Sequence, residues 1–134
     1  MTRRLLFTGA VVGLLLALAG AAGAAEDFPK FTQPVVDAAG AVTPSTEEQV
    51  GAELTDYQAR SGNQIAVAVI DSTGNRSIED YTIDLARAWG VGLKDTDSGI
   101  LLVIATSDRK LRIEVGRGLE GDLTDLQSGR IIRE

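Results

Sequence analysis

The sequence predicts a small layered α/β domain, and three observations carry that reading. Two short runs, QIAVAVI at 64–70 and GILLVIA at 99–105, are apolar at consecutive positions, as strands buried on both faces are. The segments before and between them repeat apolar residues every three or four positions, the period of an amphipathic helix. After the second run, Leu111, Ile113 and Val115 alternate with Arg112 and Glu114, the period of a strand with one covered and one wet face. The order helix, strand, helix, strand, strand, helix is that of a layered α/β domain.

The chain opens on a leader. Arg3 and Arg4 precede an apolar run from Leu5 to Ala19, and the small-residue stretch GAAGAA leads to Glu26-Asp27. A basic start, an apolar core and an A-x-A-like cleavage region make residues 1–25 a secretory signal peptide. The run is shorter than the ~20 residues a membrane span needs. Residues 26–34 hold two of the three prolines and no periodicity, so they read as an extended lead-in.

Each later element has its own signal. Val35–Asp37 is a short edge strand, and Ala38-Ala39-Gly40 a turn. Thr43 caps the first helix, with Pro44 at its first position and Glu47 and Glu48 in its first turn. Val50, Leu54 and Tyr57 form its apolar stripe, and Ser61-Gly62-Asn63 stops it. Ser77 caps the second helix with Asp80 three residues on, a partial capping box. Ile78, Tyr81, Leu85 and Trp89 are its stripe, so the sole tryptophan is a core anchor, and Gly90 ends the helix. The crossover through this helix makes strands 64–70 and 99–105 parallel. The tight connection 107–110 returns strand 111–115 antiparallel, near the sheet's edge. Thr124 caps a third helix whose Leu126, Ile131 and Ile132 need a partner surface. The sequence stops inside that helix, so the domain, residues 35–134, is expected to be cut short at its C-terminus.

Composition narrows the chemistry. The chain has no cysteine and no histidine, which removes thiol nucleophiles, His-based triads and ordinary zinc sites. A bound metal must be held by oxygen, which points to Ca²⁺ or Mg²⁺. All 19 acidic residues follow the leader, whereas two of the 13 basic ones lie in it, so its removal moves the net charge from −6 to −8. Such a surface repels phosphate backbones, and no nucleic-acid partner is expected.

The fold-back of the hairpin predicts where acidic groups gather. The start of strand 99–105 lies beside the end of strand 111–115, so loop 94–98 (KDTDS) neighbours loop 116–122 (GRGLEGD). Asp95, Asp97, Glu120 and Asp122 meet there, and mutual repulsion among four carboxylates favours a bound cation. A competing site is expected at the carboxyl ends of the parallel strands, where Asp71, Ser107 and Asp108 fall. GRGLEG has the glycine spacing of a phosphate-binding fingerprint, but the match is superficial because it follows an edge strand; Arg117 still suits an anion.

The segments VVDAAGAVTP (35–44), GNQIAVAVIDS (62–72), AWGVGLKDTDSGILLVIATSDRKLRIEVGRGLEG (88–121) and SGRIIRE (128–134) resemble the TPM domain. That family includes thylakoid lumen proteins tied to photosystem II repair and many bacterial envelope proteins. The resemblance implies a three-layer α/β/α sandwich with a small mixed sheet of about four strands, behind an export signal and before a membrane-associated or low-complexity tail. It also implies calcium or related divalent binding in some members and an acid phosphatase activity claimed for a plant member. By position, Asp37 matches the family's acidic residue before its Ala-Gly turn, Asp97 the one in its K-x-x-D-x-G loop, and Glu120 the one in G-x-G-L-E-G. The family's aromatic in that turn is Ala38 here. Two functions follow as expectations. One is an exported, envelope-associated module, possessing a Ca²⁺ or Mg²⁺ site at Asp37, Asp97, Glu120, Asp95 and Asp122, that engages an envelope or membrane protein. The alternative is a metal-assisted acid phosphatase.

Overall fold

The computed structural model describes residues 27–92 and 97–133; the leader expected at 1–25 and the acidic Asp95 lie outside them. The elements run β1 (Val35–Asp37), α1 (Pro44–Ser61), β2 (Gln64–Ile70), α2 (Ile78–Trp89), β3 (Gly99–Ala105), β4 (Lys110–Val115), a 3-10 turn (Arg117–Leu119) and α3 (Asp125–Arg133). The strands form one four-stranded mixed sheet in the order β1-β2-β3-β4. The first three are parallel and β4 returns antiparallel beside β3, so the short strand and the alternating strand are the two edges, as expected.

Local signals set the helix ends. Thr43 Oγ1 accepts from Thr46 N–H (3.3 Å) at the start of α1, and Ser77 Oγ accepts from Asp80 N–H (3.1 Å) at the start of α2. Gly90 ends α2 at φ 62, a left-handed conformation that only glycine adopts without strain. In α3, Thr124 Oγ1 accepts from Gln127 N–H while Gln127 Oε1 accepts from Thr124 N–H, a reciprocal capping box.

The core lies between the sheet and α2. Ala66, Ala68 and Ile70 of β2 and Leu101, Val103 and Ala105 of β3 point to one face and pack with Ile78 and Leu85. Small side chains at the centre let α2 lie close. Val35 and Val69 are also buried, but register places them on the opposite face, so the sheet is covered on both sides. α1 lies along β1 and β2 and contributes nothing to the α2 cluster, and its stripe of Val50, Leu54 and Tyr57 is half-buried.

The tryptophan anchors more than the core. Trp89 packs against the α2 cluster, donates Nε1–H to Pro29 O (2.8 Å) and stacks on Phe31 at 4.8 Å, while Phe28 meets Tyr81 edge-on at 5.2 Å. The extended lead-in is therefore fastened along α2. On β4, register places Arg112 opposite Val103 and Glu114 opposite Leu101, on the α2 face. The expected covered and wet faces do not hold: Leu111 is exposed, while Arg112, Ile113, Glu114 and Val115 are all half-buried. An edge strand partly overlapped by α2 is half-covered on both sides.

Candidate functional site

The two acidic loops meet as the hairpin requires. Gly116 N–H donates to Gly99 O (2.7 Å), extending the ladder past β4, and Gly118 N–H donates to Asp97 O (3.2 Å). On the other side Gln64 N–H bonds Ser98 O (3.0 Å), and Gly92 N–H bonds Gln64 Oε1 (2.7 Å). Three backbones cross here at distances only glycine permits. A Cβ on Gly116 would stand 2.0 Å from Asp97 O, and one on Gly99 would stand 2.6 Å from Val91 O. Asp97 itself has φ 45, an uncommon value for a residue with a side chain.

Beside this crossing opens a cleft of about 540 Å³. Its apolar lining includes Ile83 and Ala86 of α2, with Leu101 and Val115 of the hairpin. Asp97, Glu114 and Glu120 bring carboxylates to it, and Arg87 and Arg117 bring guanidinium groups. Glu114 is engaged by Arg112 (3.4 Å), and Arg87 by the exposed Asp84 (3.5 Å). For Asp97, Glu120 and Arg117 no ion pair is found among the described residues.

Of the five acidic residues expected to act together, Asp97 and Glu120 face this one cleft. Asp122 follows in the same loop, is exposed, and closes a turn through its N–H to Leu119 O (3.0 Å). Asp95 is outside the described residues. Asp37 stands at the other end of the sheet. It pairs with Val69, five residues along β2 from Gln64, which pairs with Gly99, a separation of roughly 17 Å at ~3.3 Å per residue. Its carboxylate is spent locally, accepting from Ala41 N–H (3.2 Å) and Val42 N–H (2.8 Å) to close the turn into α1. Among the described residues no group of three or more acidic side chains is placed to hold a metal ion. Two carboxylates would fill only part of the six to eight oxygen places of a calcium shell.

The competing site at the carboxyl ends is a brace. Ser107 Oγ donates to Asp71, while Asp108 accepts from Ser72 Oγ (2.9 Å) and Thr73 N–H (2.9 Å). The bond from the Thr73 backbone, aided by the Ser72 hydroxyl, holds the Asp108 carboxyl below its ordinary pKa of 3.8. Sequence reasoning overlooked Glu114 and Arg87. The first was marked only by its place opposite Leu101, the second only by its place in the last turn of α2.

The fold has known counterparts. The solution NMR structure of the N-terminal domain of a protein from P. gingivalis is 38% identical, with a TM-score of 0.70 over 76% of this chain and 65% of that one. This chain therefore spans just under two thirds of that domain's length. The N-terminal domain of the cg2496 protein from Corynebacterium glutamicum, 21% identical, shares the fold with a TM-score of 0.59 over 80% of this chain and 72% of that one. Comparison with curated proteins gave no match. The TPM domain family matches residues 35–134, which include every strand and helix described above. On that match over most of its length, the chain belongs to the TPM domain family.

Proposed function

We propose that this TPM domain is a non-enzymatic, exported module that binds a divalent cation, Ca²⁺ or Mg²⁺, at the hairpin's loop end and uses it to engage an envelope or membrane protein. One observation supports the reading: Asp97 and Glu120, from two loops tied together through Gly116 and Gly118, face a single open cleft and form no ion pair among the described residues. Asp97 and Glu120 are the proposed ligands, with Asp95 or Asp122 helping directly or through water. Asp37 serves its turn instead. The leader supports an exported, envelope-associated setting.

A calcium titration followed by NMR tests the reading. Amides of 97–99 and 116–122 should shift together and saturate, and Asp97→Asn should abolish the response. Shifts confined to the Asp37 turn, or none at all, exclude this site. Acid phosphatase is the second reading, favoured by Arg117 beside Asp97 in the same cleft, where it would hold phosphoryl oxygens. Aryl-phosphate turnover that survives both Asp97→Asn and Arg117→Ala excludes it.

A further inference from the structure

Among the described residues the strand β4 has an open outer edge. Because Gly116 N–H donates straight across to Gly99 O, the pair 99–116 is hydrogen-bonded, and antiparallel pairs alternate from there. Leu101–Glu114, Val103–Arg112 and Ala105–Lys110 are then the bonded pairs. It follows that Leu111, Ile113 and Val115 point their N–H and C=O groups away from β3. Among the described residues β4 pairs with no strand other than β3, and no loop bonds those groups. Leu111, on the same face as half-buried Ile113 and Val115, is 38% exposed.

We infer that β4 is a self-association edge, on which a second copy of this chain adds its own β4 antiparallel, with Ile113 opposite Ile113 of the partner subunit. Charge selects both the occupant and the register. In this register Arg112 stands opposite Glu114 of the partner subunit, and the reverse, at non-hydrogen-bonded positions where side chains lie closest. Leu111 meets Val115 of the partner subunit on the other face, continuing the apolar row. Lys110 falls opposite Gly116 of the partner subunit, so no like charges face each other. The neighbouring register that keeps the same faces, centred on Arg112, sets two guanidinium groups directly opposite and is disfavoured. Lys110 and Arg112, charges that ordinarily protect an edge from pairing, here specify one pairing. Joined in this way, the two sheets become one continuous sheet. This association does not depend on the cation cleft.

The test is mass by light scattering and sedimentation over a broad concentration range, with circular dichroism to confirm folding. The parent should pass from monomer to dimer as concentration rises. Ile113→Pro removes the outward N–H, which a monomer's edge strand tolerates, and should remain folded and monomeric. Arg112→Glu and Glu114→Arg should each run as monomers, since each sets like charges opposite one another. Their equimolar mixture should recover the dimer, because both cross-strand pairs are then of opposite sign, and a merely structural role for these residues does not restore it. A parent that stays monomeric overturns the proposal and leaves the edge to a different partner. A dimer that persists in Ile113→Pro, or a mixture of folded variants that does not associate, overturns it too.

Discussion

Gly116 has an ordinary φ of −61, so any residue could adopt its backbone conformation, and the only obstacle to a side chain there is contact. A Cβ would lie 2.0 Å from Asp97 O and 2.7 Å from Asp97 C, where ordinary contact begins at 3.4 Å. In Gly116→Ala the two backbones must therefore part by more than an ångström. Overpacking of that kind costs about 1–3 kcal/mol. Parting them also stretches the bonds from Gly116 N–H to Gly99 O and from Gly118 N–H to Asp97 O, each contributing ~1 kcal/mol. We expect Gly116→Ala to lose about 2–5 kcal/mol, which for a domain of this size lowers Tm by roughly 10–30 °C. Gly121→Ala, in the same loop, is the control: nothing lies within 4 Å of its Cβ. Urea unfolding followed by Trp89 fluorescence gives both values, and a calcium titration of Gly116→Ala below its midpoint should show weakened binding as Asp97 moves. If Gly116→Ala unfolds within about 0.5 kcal/mol of the parent, the range of an ordinary surface change, the close crossing of the loops is wrong. Equal losses at Gly116 and Gly121 would mean that general loop stiffness, not contact with Asp97, is being measured.

Leu85→Ala, at a fully buried site facing both central strands, should cost about 2–5 kcal/mol in chemical denaturation. A smaller loss means α2 does not cover the sheet as described. Asp108 has a folded pKa below its unfolded value, so it stabilises the fold above the unfolded pKa near 3.8 and loses that contribution as pH falls through the folded value. Asp108→Asn should flatten stability against pH in the acid range below about 4 and leave its slope near neutrality unchanged. Trp89→Phe removes the bond to Pro29 O but keeps an aromatic ring against Phe31. It should cost about 0.5–1.5 kcal/mol and leave the far-ultraviolet spectrum intact, with NMR shift changes concentrated at residues 28–31.

Much of the fold was legible because it rests on local patterns. The apolar runs 64–70 and 99–105 became β2 and β3 at the expected bounds, and Thr43, Ser77 and Thr124 cap the helices they were expected to cap. The hairpin between β3 and β4 alone brought Asp97 and Glu120 to one cleft, since antiparallel pairing fixes which ends meet. The placement of Asp37 was not legible, because resemblance aligns positions along a chain and says nothing of which end of a sheet each occupies. Two parallel pairings carry it to the far end, where nearby N–H groups claim its carboxylate.

The sequence by itself determined the strands, the helices, their caps, the family resemblance and the absence of thiol and imidazole ligands. These follow from period, propensity and composition, which act over a few residues. The tertiary structure alone decided that Arg112 and Glu114 share the α2 face, that Gly116 crosses Asp97 at contact distance, that Phe28 and Phe31 fasten to α2, and that β4 keeps a free edge among the described residues. Each depends on register or on packing between segments far apart in the chain, where a shift of one residue turns every side chain to the opposite face.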